Sequence, residues 1–482
     1  MSKSLSPLNG RIYHMSNTDP KYFWLRLRNV RSGASAFNLK FLLQFKKEVA
    51  GRSLTFNFNP THVDCTGPGI PLPPFLSFDR FMMTSREIVI IGGGIIGCTT
   101  AFYLSRHPSI SSNPTKISLI EASDHGPAQG ASGKAGGLVA RWAYPKEIVD
   151  VSFEEHVKLA TEHNGKDRWG WRYVNCGSWE GRGEVELPKE DVGGTKSLEK
   201  TLGLPGGHKP IRSKKTRKSN DLPEDLLWVK EGLTDSYAPM AKEGSTAQVH
   251  PYLFTTSMFE LAKANGVKYL KGKVTSILCR GGVVTGVEYT NREKETERIF
   301  ATHIILAAGA WSPTLIKDLP ITATRAHSIT IRPKEGVTIA PYVLFTEIVN
   351  LRTSAHSSPE IYARPGNEVY ACGPGDDQPL PSTVDDVIVD ELSCDLIYSN
   401  ISSISQELRE GTVEKRQACY LPTVSSGGGP IIGEATQVAK GLFIGTGHTC
   451  WVRFAGSPSA RHINEFSILN RAFQMHQGRP EP

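Results

Sequence analysis

The chain has 482 residues, 39% of them hydrophobic and 21% charged, which allows two or three domains with sizeable cores and excludes a disordered polymer. No apolar run nears the ~18–20 residues that cross a bilayer. The net charge of +7 belongs to residues 1–81, where eleven Lys and Arg face four acids, so the neutral remainder excludes a basic nucleic-acid-binding body.

Eight scattered cysteines form no Cys-x-x-Cys pair, so neither a zinc pattern nor a dense disulfide framework is expected, and no metal is assigned. Cysteine usage and the absence of a signal peptide point to the cytoplasm. Residues 1–83 are basic, poor in acids and end near "GPGIPLPPFLSF". They are expected to be a disordered or non-native extension, with Met82 or Met83 as the true start, because a first β-strand commonly follows an initiator closely. The alternative is a mitochondrial presequence.

"REIVIIGGGIIGCTTAFYLSR" comes next. Its β-branched run at 87–91 predicts a buried parallel strand. The glycines that follow fit G-x-G-x-x-G. Gly92 permits the tight turn, Gly94 lets backbone approach a phosphate, and Gly97 lets helix and strand pack closely. Ile95 and Ile96 open the buried face of the helix, whose N-terminal N–H groups and dipole can hold a pyrophosphate. A second strand, "KISLIEA", ends in Glu121, 24 residues after Gly97. An acid near this offset hydrogen-bonds ribose hydroxyls and repels a 2′-phosphate, which disfavours NADP.

The loop "GPAQGASGKAGGLVARW" decides between FAD and NAD. Ala131, Ser132, Gly133, Gly136 and Gly137 would let the chain pass close to a bulky cofactor. Ser132 and the local amides are candidate donors to phosphate or flavin. A nicotinamide domain has no evident need of this loop, so FAD is favoured and an NAD-linked enzyme is the remaining alternative. Further on, residues 205–223 hold a basic run between prolines and glycines. It is expected to be a solvated surface loop rather than a nuclear localisation signal.

Two later strands carry small residues at their C-terminal ends, where open α/β sheets bind ligands. "HIILAAGAWSP" runs into Ala308 and Gly309, followed by Trp311, and "GLFIGTGHTCW" runs into Gly447, His448 and Thr449. After Trp451, Ser457 and Pro458 suit a helix start. Ile463, Phe466, Leu469 and Phe473 then recur at helical spacing.

Taken in order, GGGIIG, IEA, GASGKAGG, "STAQVHPYLFTTSMFELAKANGVKYL", LAAGAWS, "YARPGNEVYACG", "ACYLPTVSSGGGPIIGE" and GTGHTCW resemble the FAD-dependent oxidoreductases of the D-amino-acid oxidase, glycine oxidase and sarcosine oxidase family. The likeness covers residues 85 to about 451 and runs nearest to fungal cytosolic members. It implies an α/β fold: a Rossmann-like FAD-binding domain with a parallel sheet, plus a mixed-sheet substrate domain, discontinuous in sequence. The first would take 84–150, 245–315 and 415–482, and the second 151–244 and 316–414.

The resemblance further implies hydride transfer to FAD from a carbon beside nitrogen in a small amine or amino acid. An imine forms, and oxygen is the expected acceptor, giving hydrogen peroxide. Val274 would meet the adenine end through its backbone. Cys419 stands near the position at which sarcosine oxidases attach flavin covalently. Amino-acid-oxidising relatives often carry an arginine where this chain has Leu421, and leucine cannot make a bidentate carboxylate clamp. Arg364, with Tyr362 beside it, is the candidate replacement; the alternative for Arg364 is a pair with Glu368. An amine without a carboxylate is an equal candidate substrate. His448 could donate to the flavin edge or shape the turn. After Trp451 the family's glycine and Asn-x-Pro-like turn are missing, which alters the register of the last helix relative to His448. Two further functions stay open: a dehydrogenase of this fold serving a quinone or protein acceptor, and a flavin-bound regulatory protein without turnover.

Overall fold

The structure, a computed structural model, describes residues 85–112, 114–143, 146–184, 222–351, 354–427 and 430–449, together with three strands nearer the N-terminus. The basic run before residue 222 and the expected helix beyond Trp451 lie outside the described residues. The chain divides into two units, Met1–Gly67 and Pro68–Pro482. The first contains an antiparallel meander of Trp24–Arg28, Leu42–Val49 and Arg52–Phe58.

The second unit is built on two large sheets. The six-stranded sheet runs in the order Lys268–Lys271, Thr115–Glu121, Arg86–Ile91, His303–Leu306, Leu442–Thr446 and Ile431–Glu434. Its first five strands are parallel and the last is antiparallel. Ile88, Val89, Ile90 and Ile91 are all buried, as a strand covered on both faces requires. From Arg86–Ile91 the helix Ile95–Ser105 carries the chain to Thr115–Glu121 on one side, while His303–Leu306 flanks the other. The chain therefore diverges at the carboxyl end of Arg86–Ile91, the place where open α/β sheets form a ligand crevice. A second helix, Pro251–Ala264, packs on Ile95–Ser105. It starts with proline in its first turn, and His250 Nδ1 accepts from the Leu253 N–H at 3.4 Å.

The larger, mixed sheet is ordered Thr412–Val424, Ile321–Arg332, Glu368–Asp376, Glu360–Arg364, Tyr342–Asn350, Asn175–Gly183 and Thr234–Pro239. Thr412–Val424 and Ile321–Arg332 pair along almost their whole length, from Ile321 opposite Val424 to Arg332 opposite Thr412. Side-chain alternation gives this sheet two buried faces. Ile329, Ile331, Ile361, Val369 and Ala371 enter a core shared with the helix Glu391–Ser402. Tyr362, Tyr370, Cys372 and Val343 point the other way, into the core that also holds the glycine-led helix. That second face turns the large sheet toward the loop after the acidic strand: Ala326, Cys419 and Leu421 cluster against Ala131. The parallel sheet and the mixed sheet expected from the sequence are thus both present.

Among the described residues, two smaller antiparallel sheets accompany these: Leu138–Ala140 with Thr246–Gln248 and Arg172–Tyr173, and Lys273–Arg280 with Val283–Thr290 and Thr296–Phe300.

Candidate functional site: a nucleotide cleft at the sheet switch point

A cleft of about 1080 Å3, part of it open to solvent, lies at the carboxyl ends of the parallel strands. Its floor is the turn after Ile91. Gly92 has φ +106°, and a Cβ there would stand 2.5 Å from the Ala307 carbonyl oxygen. Gly97 brings helix and strand together so closely that a Cβ would lie 1.9 Å from the Gly92 oxygen. Both fit the roles assigned from the sequence. Gly94 is the N-cap of Ile95–Ser105 and carries no capping side chain, and no acid stands in the first turn. Ser132 reaches in from the small-residue loop, its Oγ accepting from the Ile95 N–H at 2.9 Å. The first N–H groups of a helix have no intrahelical acceptor, and with the helix dipole they favour an anion.

Glu121 stands where its strand meets this turn. Its Oε2 accepts from the Gly93 N–H at 2.5 Å and its Oε1 from the Ser123 N–H at 2.8 Å. Burial pushes the carboxyl above its ordinary value, while the N–H bonds from Ser123 and Gly93 pull the other way. Each oxygen keeps a lone pair for a ligand hydroxyl. A helix start that favours an anion and a carboxylate with lone pairs to spare therefore adjoin.

Further walls come from the ends of three strands. Ala308, Gly309 and Trp311 follow His303–Leu306, Val274 begins Lys273–Arg280, and His448 follows Leu442–Thr446. Gly309 has φ +53° with nothing within 4 Å of a would-be Cβ, so this wall is open to the cleft. Thr446 Oγ1 donates to the Gly309 carbonyl at 2.9 Å and ties two strand ends together. His448 is buried, and burial pushes it down to about 3, so it stands in the cleft wall as a neutral imidazole at physiological pH. Gly447 and Thr449, both at positive φ, shape the turn around it.

Residues 130–137 bridge the cleft and the large sheet. Ala131 and Ser132 line the cleft. Behind them, a Cβ on Gly133 would meet the Ala128 oxygen at 1.9 Å, and one on Gly136 would meet the Tyr362 ring at 2.8 Å. Gly137 takes φ +103°. Lys134 Nζ donates to the Ala418 carbonyl at 3.0 Å. The structure commits Arg364 to this same loop. Its guanidinium is 3% exposed, donates to Glu368 Oε1 at 2.7 Å, and also donates to the Ala135 and Gly136 carbonyls. It lies over the Tyr370 ring, 4.5 Å from the centroid. Burial alone would raise Glu368; Arg364 beside it more than offsets this and holds the carboxyl below its ordinary value. Tyr362 donates to Glu360 Oε2 at 2.5 Å. Neither Arg364 nor Tyr362 lines the cleft, and neither does Cys419, whose buried thiol is pushed up to about 11 by burial.

Sequence reasoning missed part of the lining: Lys273, Tyr420 and Ser382–Thr383–Val384. The last three sit in the loop "DDQPLPSTVDD", whose capping box between Thr383 and Asp386 was readable but whose destination was not. Among the described residues, no cluster of three or more His, Cys, Asp or Glu could hold a metal, and no helix is long and apolar enough to cross a membrane. The donor set instead fits FAD: main-chain amides for a pyrophosphate, a carboxylate for a ribose, and glycine-open walls for a wide ring system.

The family described as "FAD dependent oxidoreductase" (DAO) matches residues 87–463. TDA3 of Saccharomyces cerevisiae, which carries an oxidoreductase name, is 31% identical across 79% of this chain and 91% of its own length. Among solved structures, glycine oxidase from Geobacillus kaustophilus superposes with a TM-score of 0.57 at 15% identity, covering 80% of this chain and 95% of that one. Iminodiacetate oxidase from Chelativorans sp. BNC1 gives 0.55 at 17% identity, with coverage of 80% and 95%.

Proposed function

The chain belongs to the FAD-dependent oxidoreductase family, and from that premise we propose that it oxidises the carbon–nitrogen bond of a small amine or amino acid with oxygen as acceptor. FAD is the cofactor, and when bound it supplies the hydride acceptor. In this proposal Gly94 and Ile96 offer amides to the pyrophosphate beside Ser132, whose hydroxyl already accepts from the Ile95 N–H, and Glu121 takes a ribose hydroxyl. The Val274 backbone meets the adenine end, and Ala308, Gly309 and His448 flank the ring system. The six-stranded sheet is the basis of the flavin domain and the large mixed sheet that of the substrate domain. The substrate gives up a hydride and a proton, its nitrogen lone pair closes the C=N bond, and oxygen leaves with two electrons and two protons as hydrogen peroxide.

One observation supports a substrate side to the cleft: Tyr420 and Pro422 of the large mixed sheet line it, beside the loop at 130–137 on which the same sheet packs. Relatives of the same fold named for glycine and iminodiacetate oxidation support a CH–NH donor. Arg364 is occupied by Glu368 and two carbonyls, which favours an amine without a carboxylate over an amino acid. His448, held neutral, acts as a hydrogen-bonding wall rather than as a fixed positive charge.

The test is an anaerobic bleaching screen of the flavoprotein against amines and amino acids, followed by peroxide measurement on readmitting oxygen. Bleaching by an amine with one peroxide per turnover is expected. Yellow protein that no C–N donor bleaches would overturn the proposal, and bleaching without peroxide would move the acceptor to a quinone or protein.

A further inference from the structure

We infer that residues 377–389 form a strap that closes over the adenosine half of the FAD site, and that FAD leaves only when this strap lifts. The segment departs from the end of Glu368–Asp376 and returns to the helix Glu391–Ser402, so it is rooted in the large sheet. Both of its feet are pinned at one place. Arg325 grips Asp376 in a two-pronged pair, with Nε to Oδ1 at 3.0 Å and Nη2 to Oδ2 at 2.8 Å, and its Nη1 donates to the Ile388 carbonyl at 2.9 Å. His327 Nε2 accepts from the Asp390 N–H at 3.0 Å. A surface loop with adjoining ends is an Ω-loop, a form that often serves a ligand.

The tip of the strap is hooked onto the rim of the nucleotide cleft. Trp311 Nε1 donates to the Pro381 carbonyl at 2.8 Å and Tyr420 Oη to the Pro379 carbonyl at 2.7 Å. Lys273 Nζ donates to Ser382 Oγ at 2.8 Å. Asp385 makes the far hook: its Oδ1 accepts from Ser123 Oγ at 2.6 Å and its Oδ2 from the Asp124 N–H at 2.8 Å. Ser123 and Asp124 stand two and three residues beyond Glu121, the last residue of its strand, so this hook lands beside the proposed ribose acceptor. Between the hooks, Ser382, Thr383 and Val384 line the cleft.

Three of the four anchoring side chains or positions, Trp311, Lys273 and Tyr420, also line the cleft themselves. The Trp311 and Lys273 hooks therefore tie groups of the cofactor site to a segment rooted in the large sheet, while Tyr420 comes from that sheet itself and Ser123 and Asp124 hold the strap just outside the cleft lining. Bound FAD would hold those groups in place for the strap, and the strap would cover FAD. By linkage each stabilises the other. Asp385 acts here as a positioning residue, through Ser123 and Asp124 rather than by touching the cofactor.

The inference rests on the FAD site proposed above and is tested by FAD release from the holoenzyme, followed as recovery of free-flavin fluorescence after dilution. Asp385→Ala should release FAD about tenfold faster than the unchanged protein. Asp377→Ala removes an equal charge from an exposed position of the same strap and should match the unchanged protein. In the unsubstituted chain, amide hydrogens at 380–386 should exchange more slowly with FAD than after its removal. A D385A release rate equal to that of D377A, or exchange at 380–386 indifferent to FAD, would overturn the strap while leaving the FAD site intact. Failure of the unchanged protein to take up FAD would instead remove the site itself.

Discussion

Gly97→Ala tests the geometry on which the nucleotide site depends. The new methyl would stand 1.9 Å from the Gly92 carbonyl oxygen, 3.1 Å from its carbon and 3.4 Å from Ile90 Cγ2. A carbon–oxygen contact below 3.0 Å is not tolerated, so helix and turn must part by roughly 1 Å. Neither side yields easily. The Gly92 N–H is held by the Ile120 carbonyl at 2.8 Å, and the helix is buried along most of its length. Overpacking of this kind costs typically about 1–3 kcal/mol, and with backbone on both sides the upper end is expected. The same shift withdraws the helix N-terminus from a bound phosphate. Losing one hydrogen bond to a charged group, worth about 1.5–3 kcal/mol, weakens FAD binding by about 10- to 100-fold. The assay is FAD titration by flavin fluorescence, beside urea unfolding. Gly266→Ala is the control: its φ is +88° and no atom lies within 4 Å of the added Cβ, so it should cost about 1–2 kcal/mol of backbone strain and leave FAD affinity unchanged. A G97A protein that binds FAD as tightly as the unchanged chain would refute the close-approach argument.

Arg364→Met should destabilise by about 3–5 kcal/mol in urea unfolding, because Glu368 stays buried without its guanidinium; unchanged stability with selective loss of amino-acid turnover would make Arg364 a substrate clamp instead. His448 has its native value depressed by burial to about 3 from 6.5, so the unfolded chain gains a proton below pH 6.5 that the native state refuses. Its contribution is therefore complete above pH 6.5 and lost as pH falls toward 3. The loss reaches about 2 kcal/mol at pH 5. His448→Gln should lose about that much less between pH 7 and 5 in urea titrations at saturating FAD, and parallel curves would contradict the burial. Acid precipitation should free all flavin, since the Cys419 thiol is pushed up to about 11 and is a poor nucleophile; colour retained in the pellet would mean covalent attachment.

The sequence by itself determined the nucleotide turn. A strand, three spaced glycines and an acid 24 residues later are local features, and backbone sterics leave them few arrangements. Gly92 and Gly97 accordingly stand in the tight turn and the close helix–strand contact that their spacing implied, and Glu121 reaches that turn through the Gly93 N–H. Ala308, Gly309 and His448 were findable for a related reason, because the carboxyl ends of parallel strands converge on one crevice.

Only the tertiary structure decided that Arg364 takes the alternative pair with Glu368 together with two distant carbonyls, and what covers the cleft. One strand register sends Arg364 to the Ala135 and Gly136 carbonyls, and no pattern near residue 364 encodes a loop more than 220 positions earlier. Asp385 meets Ser123 across 262 positions of chain. Periodicity and turn chemistry act over a few residues, whereas such pairings depend on how two sheets pack, and that is settled by the sum of buried contacts across the whole unit.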